Sequence, residues 1–450
     1  MNFIEIPAGA EQVLNVLHHA GFEAYVVGGC VRDSVLGRIP GDWDITTSAS
    51  PQEVKSLFGR TVDTGIAHGT VTVMIGKEGY EVTTYRIDGA YEDFRHPQEV
   101  TFTTSLTEDL KRRDFTVNAM AYSHETGIVD EFGGLRDLKD KVIRCVGEPK
   151  ERFGEDALRM MRAVRFAAQL GFRIDERVKD AIREMADALD HISAERIQTE
   201  LVKLLVSPHP SWFRLAYETG ITSVIMPEFD RIMVQRQHNP HHAYTAGEHT
   251  LLAMKHIQAD KVLRLTMLFH DMGKPDTFTT DENGKDHFHG HAAVSAQIAF
   301  RILKRLKFDN DTTQKVCTLV RHHSMYPQLS AREVRRGAYL LGPELYDSFL
   351  QVKRADIMAQ HPDVIPDKLA YLDQVEQIWE DIKLHQDCLS LKQMNLSGKD
   401  LIGDGMKPGP ELGEVLEKLL MEVLDQPEKN TRGYLLEESR RLRAKEKAGG

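Results

Sequence analysis

Two aspartates, Asp42 and Asp44, are the side chains whose type and spacing point most directly to chemistry. They fall in the strand-like segment 42–47, and because side chains alternate along a strand, both carboxylates are predicted to share one face. Two like charges so close together favour a bound cation, and hard oxygen ligands suit Mg²⁺, which also shares the phosphates of a substrate. Taken alone, however, a DxD pattern is more often a solvated strand edge.

A glycine pair, Gly28-Gly29, precedes these aspartates. An apolar run at 24–27 ends at the glycines, and a helix with Arg32 in it is predicted from 31 onward. Glycines let backbone N–H groups approach phosphate, and a helix N-terminus favours negative charge. Taken alone, the glycine pair is as typical of an ordinary tight turn as of a phosphate-binding one. Together with the aspartate pair it predicts phosphoryl transfer.

The surrounding motifs carry a family resemblance. The run VVGGCVRDSVLGR, followed by DWDI, resembles the signature of the DNA polymerase β nucleotidyltransferase superfamily. Two later blocks, RRDFTVNA at 112–119 and EDALR at 155–159, are similar to blocks of the class II CCA-adding tRNA nucleotidyltransferases. These enzymes build the 3′-terminal CCA of tRNA from CTP and ATP without a nucleic-acid template.

The resemblance implies roles for nine residues in the first half of the chain. Asp42 and Asp44 would hold the catalytic Mg²⁺. Seven residues would contact the nucleotide: Gly29, Arg32, Arg113, Asp156, Arg159, Arg162 and Arg165. Glu81 is a candidate third carboxylate of the superfamily, with an exposed strand glutamate as the alternative.

A protein template is also chemically reasonable. A carboxylate accepts from an exocyclic amino group while an arginine donates to a ring nitrogen or carbonyl, so an Asp/Arg pair can distinguish C and A from U and G. Asp156 and Arg159 are three residues apart on a helix predicted over 156–169, which would put them side by side. Arg162 and Arg165 drift around that helix, so a phosphate or scaffolding role is as plausible for Arg165.

A polar segment at 88–97 resembles the flexible loop that full CCA-adding members carry and CC-only relatives lack or shorten. The resemblance thus implies tRNA, ATP and CTP as partners. A CC-adding enzyme and a poly(A) polymerase share the head chemistry and remain alternatives. A non-catalytic RNA-binding protein is disfavoured by the complete carboxylate set.

Histidines are concentrated in the second half of the chain, where eleven of the twenty lie between His238 and His323. Imidazoles and carboxylates on neighbouring helices can form a divalent-metal site. An ordered set of histidines and aspartates resembles the HD phosphohydrolase superfamily, and it also includes His291 and His322-His323. The resemblance implies a second metal site at His249, His270, Asp271 and Asp356. Phosphohydrolase as the main activity is therefore another alternative, and each histidine taken singly is more often structural.

The elements that must position these residues indicate an α+β protein. Strand and hairpin patterns at 70–75 and 80–86 predict a mixed or antiparallel sheet in a nucleotidyltransferase head, residues 1–145. Helical periodicity then predicts an all-α remainder. We expect a neck at 146–210, a body with an HD domain at 211–370 and a tRNA-binding tail at 371–450.

Composition limits the other possibilities. A net charge of −11 on 450 residues excludes a general nucleic-acid coat, so any RNA must meet local basic patches. The four scattered cysteines favour neither a disulfide framework nor a thiolate metal site. Without a signal-like start or a long apolar run, we expect no membrane contact and a cytoplasmic location. The sequence leaves the oligomeric state open.

Overall fold

The computed structural model of the chain describes residues 3–89, 100–238 and 244–449. The chain forms two compact units, Met1–Pro227 and Glu228–Gly450. The finer division into head, neck, body and tail stays a prediction. The segment 88–97, singled out above as a family-specific loop, lies outside the described residues from position 90 onward.

The first unit contains a mixed sheet. Its strands, in chain order, are β1 (Ala24–Val27), β2 (Ile45–Thr47), β3 (Thr61–Gly65), β4 (Thr70–Ile75), β5 (Glu78–Thr84), β6 (Arg86–Asp88), β7 (Val100–Phe102), β8 (Ala121–Ser123), β9 (Gly127–Val129), β10 (Val142–Ile143) and β11 (Arg173–Ile174). Within the described ranges, seven of them form one sheet in the order β3–β4–β5–β2–β1–β8–β9. Only the β2–β5 pair of that sheet is parallel, so the predicted mixed sheet is confirmed.

Helices surround this sheet and continue beyond it. Those of the first unit are α1 (Ala8–His19), α2 (Gly29–Val35), α3 (Pro51–Leu57), α4 (Leu106–Lys111), α5 (Gly134–Asp140), α6 (Pro149–Glu155), α7 (Leu158–Leu170), α8 (Glu176–Met185), α9 (Ala194–Leu205), α10 (Phe213–Glu218) and α11 (Ile221–Ile225). Helix α7 buries Met160, Ala163 and Ala167 and packs against α9.

The second unit is mainly helical. Its elements are α12 (Pro227–Val234, which begins at the last residue of the first unit), α13 (Ala246–Ala253), α14 (Lys261–Phe269), β12 (Thr279–Thr280), β13 (Asp286–His287), α15 (His291–Arg305), α16 (Asn310–His322), α17 (Ala331–Leu341), α18 (Tyr346–Met358), α19 (Ile365–Leu384), α20 (Gly398–Gly403), α21 (Pro410–Asp425) and α22 (Arg432–Gly449). Tyr346, Phe349 and Trp379 belong to a large apolar core formed by α16 to α22. None of the helices in the described ranges has both the length and the apolar character needed to cross a membrane.

Several element boundaries differ from the sequence-based expectation. Strand β2 begins at Ile45, so Asp42 and Asp44 lie in the segment before the strand, because aspartate and the neighbouring Gly41 favour turns over ladders. Helix α7 begins at Leu158, and Asp156 lies outside it. The short pairs β10–β11 and β12–β13 were not expected, since two-residue strands leave no readable alternation.

Candidate functional site

One cavity of the first unit, of about 640 Å³, is lined by all nine residues that the family resemblance assigns to the nucleotidyltransferase site. We call it the head cavity. Eight cationic side chains face it against four aspartates, which suits an anionic ligand. The full lining is Gly28, Gly29, Arg32, Asp42, Asp44, Arg112, Arg113, Asp114, Asn118, Asp156, Leu158, Arg159, Arg162, Arg165, Phe166, Gln169, Arg196 and Lys203.

The glycine turn between β1 and α2 lines this cavity. Gly28 has φ +81°, a left-handed conformation that favours glycine, and a Cβ there would lie 3.1 Å from Nη1 of Arg113. Gly29 opens α2, whose first N–H groups have no partner within the helix. The turn therefore allows Arg113 to approach the backbone closely.

The carboxylates are brought together by the parallel pairing of β2 with β5. Ile45 lies opposite Val82, so Asp44, which directly precedes β2, and Glu81 of β5 lie beside each other. A second cavity contains both carboxylates together with Arg113. This arrangement fits Glu81 as a third carboxylate, although that role stays a prediction.

The electrostatics of Asp44 reflect this crowding. Burial raises its pKa to about 6, and the negative charges of Asp42 and Glu81 act in the same direction against the opposing influence of Arg113. Burial and nearby negative charges destabilise the ionised form of this carboxylate. A bound divalent cation would stabilise that form. The three acidic side chains thus form a suitable cation site.

This pKa makes cation binding depend on pH. Below about pH 6 Asp44 of the metal-free protein is protonated and would have to lose a proton to hold a divalent cation, so the apparent affinity of a site that uses Asp44 is expected to fall about tenfold per pH unit there and to level off above it. Titration calorimetry with Mg²⁺ or Mn²⁺ between pH 5 and 8 measures this. The dependence should disappear in Asp44→Asn, and an affinity that stays constant from pH 5 to 7 in the unmodified protein would contradict the assignment.

Arg32 and Arg113, which both line the cavity, are each held by other side chains. Arg32 donates from Nη1 to Oδ1 of Asn118 at 2.6 Å and pairs with Asp33 at 2.8 Å. Nη2 of Arg113 lies 3.4 Å from Oδ2 of the fully buried Asp109. Because carboxylates and amides hold both guanidinium groups in place, they are arranged in advance for an anionic ligand.

Asp156 and Arg159 line the same cavity, but the side chain of each is paired with a different residue. Asp156 accepts from Nη2 of Arg196 at 2.7 Å, whereas Nη1 of Arg159 lies 2.5 Å from Oε2 of Glu155. Arg159 also donates to the backbone carbonyl of Arg112 at 3.0 Å. The two side chains therefore keep separate partners, in contrast to the i,i+3 pair that one continuous helix would have given.

The next arginines of the row are engaged with carboxylates. Nε of Arg162 donates to Oδ2 of Asp114 at 2.8 Å, and Nε of Arg165 donates to Oε2 of Glu200 at 2.5 Å. Burial would raise the pKa of Asp114, but the positive charges of Arg162 and Arg159 outweigh it and lower the pKa to about 2. Direct nucleotide contact by Arg162 and Arg165 stays a prediction.

Asp114, Asn118 and Arg196 are among the cavity residues that received no role from the sequence. Asp114 and Asn118 lie inside the RRDFTVNA block, so their position in a motif was the available signal. Arg196 lies 40 residues beyond Asp156, and only the packing of α9 on α7 brings the two side chains together.

The second unit brings the predicted histidine set together. Nε2 of His249 lies 2.9 Å from Oδ1 of Asp356 and 3.8 Å from Oδ2 of Asp271. Nε2 of His270 is buried and lies 3.2 Å from Oδ2 of Asp271 without hydrogen-bonding geometry. Among the described residues, two groups that share Asp271 could each hold a metal ion: His249 with His270 and Asp271, and Asp271 with His291 and His323.

Backbone carbonyls orient these imidazoles. Nδ1 lies within 3.1 Å of a carbonyl oxygen in all four: His249 at Ala359, His270 at Met267, His291 at Phe288 and His323 at Val320. Donation from Nδ1 leaves the lone pair of Nε2 available for a metal. His322, which the sequence singles out together with His323, is absent from both groups among the described residues.

The charges of His323 and Asp271 match that arrangement, whereas the charge of His270 does not. Burial, with the nearby His270 and His291, lowers the pKa of His323 to about 3, so the ring is neutral. Burial would raise the pKa of Asp271, but His270 and Lys274 keep it well below its usual range. Burial would lower the pKa of His270, but the neighbouring Asp271 and Asp356 raise it, so this ring would have to give up its proton before Nε2 could hold a metal.

Comparison with known proteins gives matches along the whole chain. Three family models match: "Poly A polymerase head domain" over residues 24–144, "Probable RNA and SrmB- binding site of polymerase A" over 171–233, and "tRNA nucleotidyltransferase domain 2 putative" over 279–438. The first covers the sheet and the carboxylates. The second begins at the end of α7 and includes Arg196.

Relatives and solved structures agree with these matches. The chain is 38% identical over 421 residues to the CCA-adding enzyme of Levilactobacillus brevis, across 92% of this chain and 93% of that protein. It is 52% identical over 221 residues to the CCA-adding enzyme of Lactobacillus helveticus, across 49% of this chain and 55% of that protein. The structure of the Bacillus stearothermophilus CCA-adding enzyme in complex with CTP matches with a TM-score of 0.74 and 30% identity, over 98% of this chain and 100% of that one. Motifs, fold and relatives together show that this chain belongs to the family of CCA-adding enzymes.

Proposed function

We propose that this chain adds C, C and A in turn to the 3′ end of tRNA, using CTP and ATP and no nucleic-acid template. The observation that carries the proposal is the head cavity, where the carboxylate pair, the glycine turn and the Asp156/Arg159 pair line one space. In each step the terminal 3′-hydroxyl oxygen attacks the α-phosphorus of the nucleotide. The bond to the β-phosphate then breaks, and pyrophosphate leaves.

Enzymes of this family depend on a divalent metal, and we propose Mg²⁺ for this chain. Asp42 and Asp44 would hold it, and the raised pKa of Asp44 supports a cation there. When bound, Mg²⁺ activates the attacking hydroxyl and stabilises the leaving pyrophosphate. Arg32, Arg113 and the backbone at Gly29 would bind the triphosphate and set its orientation.

Base selection would fall to Asp156 and Arg159. The carboxylate would accept from the exocyclic amino group that C and A share, while the guanidinium donates to a ring acceptor. Uracil and guanine present the opposite pattern at the corresponding edge. One protein surface could therefore accept both correct bases and reject both wrong ones.

The decisive experiment supplies tRNA lacking CCA together with each labelled nucleotide alone and in combination. Sequencing of the products separates CCA addition from CC addition, A-only addition and poly(A) synthesis. The proposal expects two C residues followed by one A, after which addition stops. Continued A addition on any RNA would favour the poly(A) polymerase alternative, and a product ending in CC would favour the CC-adding one. A cytoplasmic location, where uncharged tRNA matures, is part of the same proposal.

We also propose a divalent-metal site in the second unit, with phosphate-ester hydrolysis as a secondary activity. The observation that favours it is the convergence of Nε2 atoms on Asp271, including the buried Nε2 of His270, which has no hydrogen-bond partner among the described residues. The ligands would be His249, His270, Asp271 and Asp356, with His291 and His323 on the other side of Asp271. Such a metal would supply a hydroxide nucleophile from bound water.

Replacing His270 and Asp271 together by alanine is expected to abolish divalent-metal binding by the second unit, and with it any phosphatase or phosphodiesterase activity. CTP incorporation should stay close to normal, because that chemistry lies in the first unit. Elemental analysis and a phosphate-release assay give the two readouts, with the exposed His385→Ala as the matched control. An unmodified protein that binds no divalent metal after incubation and gel filtration would contradict the proposed site.

A further inference from the structure

Asp156 occupies the break between two helices. Its backbone is extended, with φ −144° and ψ 103°, between the end of α6 and the start of α7. Oδ1 of its carboxylate accepts from the backbone N–H of Leu158 at 3.1 Å. One oxygen is therefore used to cap α7, and the orientation of the other depends on what else it contacts.

Arg196 provides that second contact. Its Nη2 lies 2.7 Å from Oδ2 of Asp156, and the two side chains are only 27% and 18% exposed. Arg159, the expected companion in base reading, is held instead by Glu155 and by backbone carbonyls. The base-reading carboxylate thus depends on a residue outside its own motif.

Helix α9 holds Arg196 in a fixed place. Ile197, Leu201 and Leu204 of α9 are buried, and the helix packs against α7. One turn further along, Glu200 is 4% exposed and binds Arg165 of α7. Because apolar packing and a buried ion pair lock α9 to α7, Arg196 presents its guanidinium to Asp156 from a rigid support.

Within the described residues, the hydrogen-bonding capacity of the Arg196 guanidinium is only partly used. Nη1 of Arg196 is buried and has no hydrogen-bond partner among the described residues. An unmet buried donor costs stability, so a purely structural arginine would be expected to pair it. Among the described residues, Arg196 thus lacks a hydrogen bond at Nη1 but keeps the one from Nη2 to Oδ2 of Asp156.

We propose that Arg196 is a positioning residue for nucleotide selection, one that fixes the Asp156 carboxylate in the orientation that accepts the exocyclic amino group of C and A. The inference rests on the proposed role of Asp156 in base reading. Without Arg196, Oδ2 of Asp156 loses its partner and the carboxylate can rotate about its side-chain bonds. The site would then still bind nucleotides and catalyse transfer, but it would discriminate less against U and G.

The test compares kcat/KM for CTP and UTP on tRNA that ends before CCA. Arg196→Ala is expected to lower the CTP-over-UTP ratio about tenfold, within the range for one base contact. Arg196→Lys, which keeps the charge but loses the planar fork, should retain an intermediate ratio. The matched control is Arg177→Ala, which removes an arginine at the same 2.7 Å distance from a carboxylate, Glu148, but with the pair 66% and 59% exposed. Thermal melting of each variant monitors folding.

A double variant separates positioning from direct contact. If Arg196 acts through Asp156, Arg196→Ala should not change the CTP-over-UTP ratio any further in the Asp156→Ala background. An unchanged ratio in Arg196→Ala, with a reduced ratio in Asp156→Ala, overturns the positioning role while leaving base reading by Asp156 intact. A further loss in the double variant also overturns it, because Arg196 would then read the base itself. An unchanged ratio in Asp156→Ala overturns the underlying proposal for Asp156.

Discussion

Asp44→Asn is expected to lower the rate of both C and A addition by at least about a thousandfold while leaving the fold intact, and Asp42→Asn should do the same. A metal that activates the nucleophile and stabilises the leaving group contributes several kcal/mol to the barrier. A loss of about 4 kcal/mol corresponds to about a thousandfold in rate. Single-turnover incorporation of labelled CTP and ATP into tRNA measures the effect.

The fold should survive this substitution because Asp44 contributes charge more than packing. Its carboxylate lies among other acidic groups, and its raised pKa means that the folded state disfavours its charged form. A neutral asparagine of the same shape removes that repulsion, so the melting temperature is expected to stay level or rise. Asp63→Asn is the matched control, since Asp63 of β3 is exposed and pairs with Lys55 at 2.9 Å. Near-normal turnover in either active-site variant would show that the metal is held elsewhere.

Local signals account for the parts of the fold that were predictable from sequence. The capping box that opens α3 could be predicted because Ser50 and Glu53 lie within one turn, and the structure contains both of its hydrogen bonds. The β4–β5 hairpin could be predicted from its β-rich segments and from Gly76, which has φ +62° in the turn. In both cases the residues that decide the structure are neighbours in sequence.

The parts of the site that escaped prediction depend on distant packing. The helical pattern continues through Asp156, but its side chain caps α7 and its backbone is extended there, so the helix starts two residues later. Periodicity does not report such a break. The pairing of Asp156 with Arg196 depends on how α9 packs on α7, and no spacing in the sequence indicates it.

The histidine cluster was only partly predictable from the sequence. Its members could be singled out by composition and by resemblance, yet their orientation could not. His270 and His323 each follow directly after a helix, α14 and α16, and their Nδ1 atoms meet carbonyls three residues earlier. The helix ends thus turn both Nε2 atoms towards Asp271, a consequence of tertiary structure that single motifs do not contain.

Loss of nucleotide choice is the second large effect that we expect. In Asp156→Ala the acceptor for the exocyclic amino group is gone, so the CTP-over-UTP ratio of kcat/KM should fall by about one to two decades, the equivalent of about 1–3 kcal/mol for a base contact. Arg159→Ala should have a similar effect on C and A use. Its guanidinium is anchored by Glu155 and by two backbone carbonyls, so its loss also removes support for the start of α7.

Arg165→Ala provides the contrast within the same helix. Its guanidinium is buried, donates to Glu200 and lies 3.8 Å from the centre of the Phe166 ring, so its loss should slow catalysis or lower stability without broadening nucleotide choice. The measurement is kcat/KM for all four nucleotides on tRNA that ends before CCA, in the unmodified protein and the three variants. Selection by geometry predicts that Asp156 and Arg159 variants lose discrimination in proportion to the contact removed, while the Arg165 variant loses rate for every nucleotide alike. Unchanged CTP-over-UTP ratios in both Asp156→Ala and Arg159→Ala would mean that other residues of the head cavity read the base.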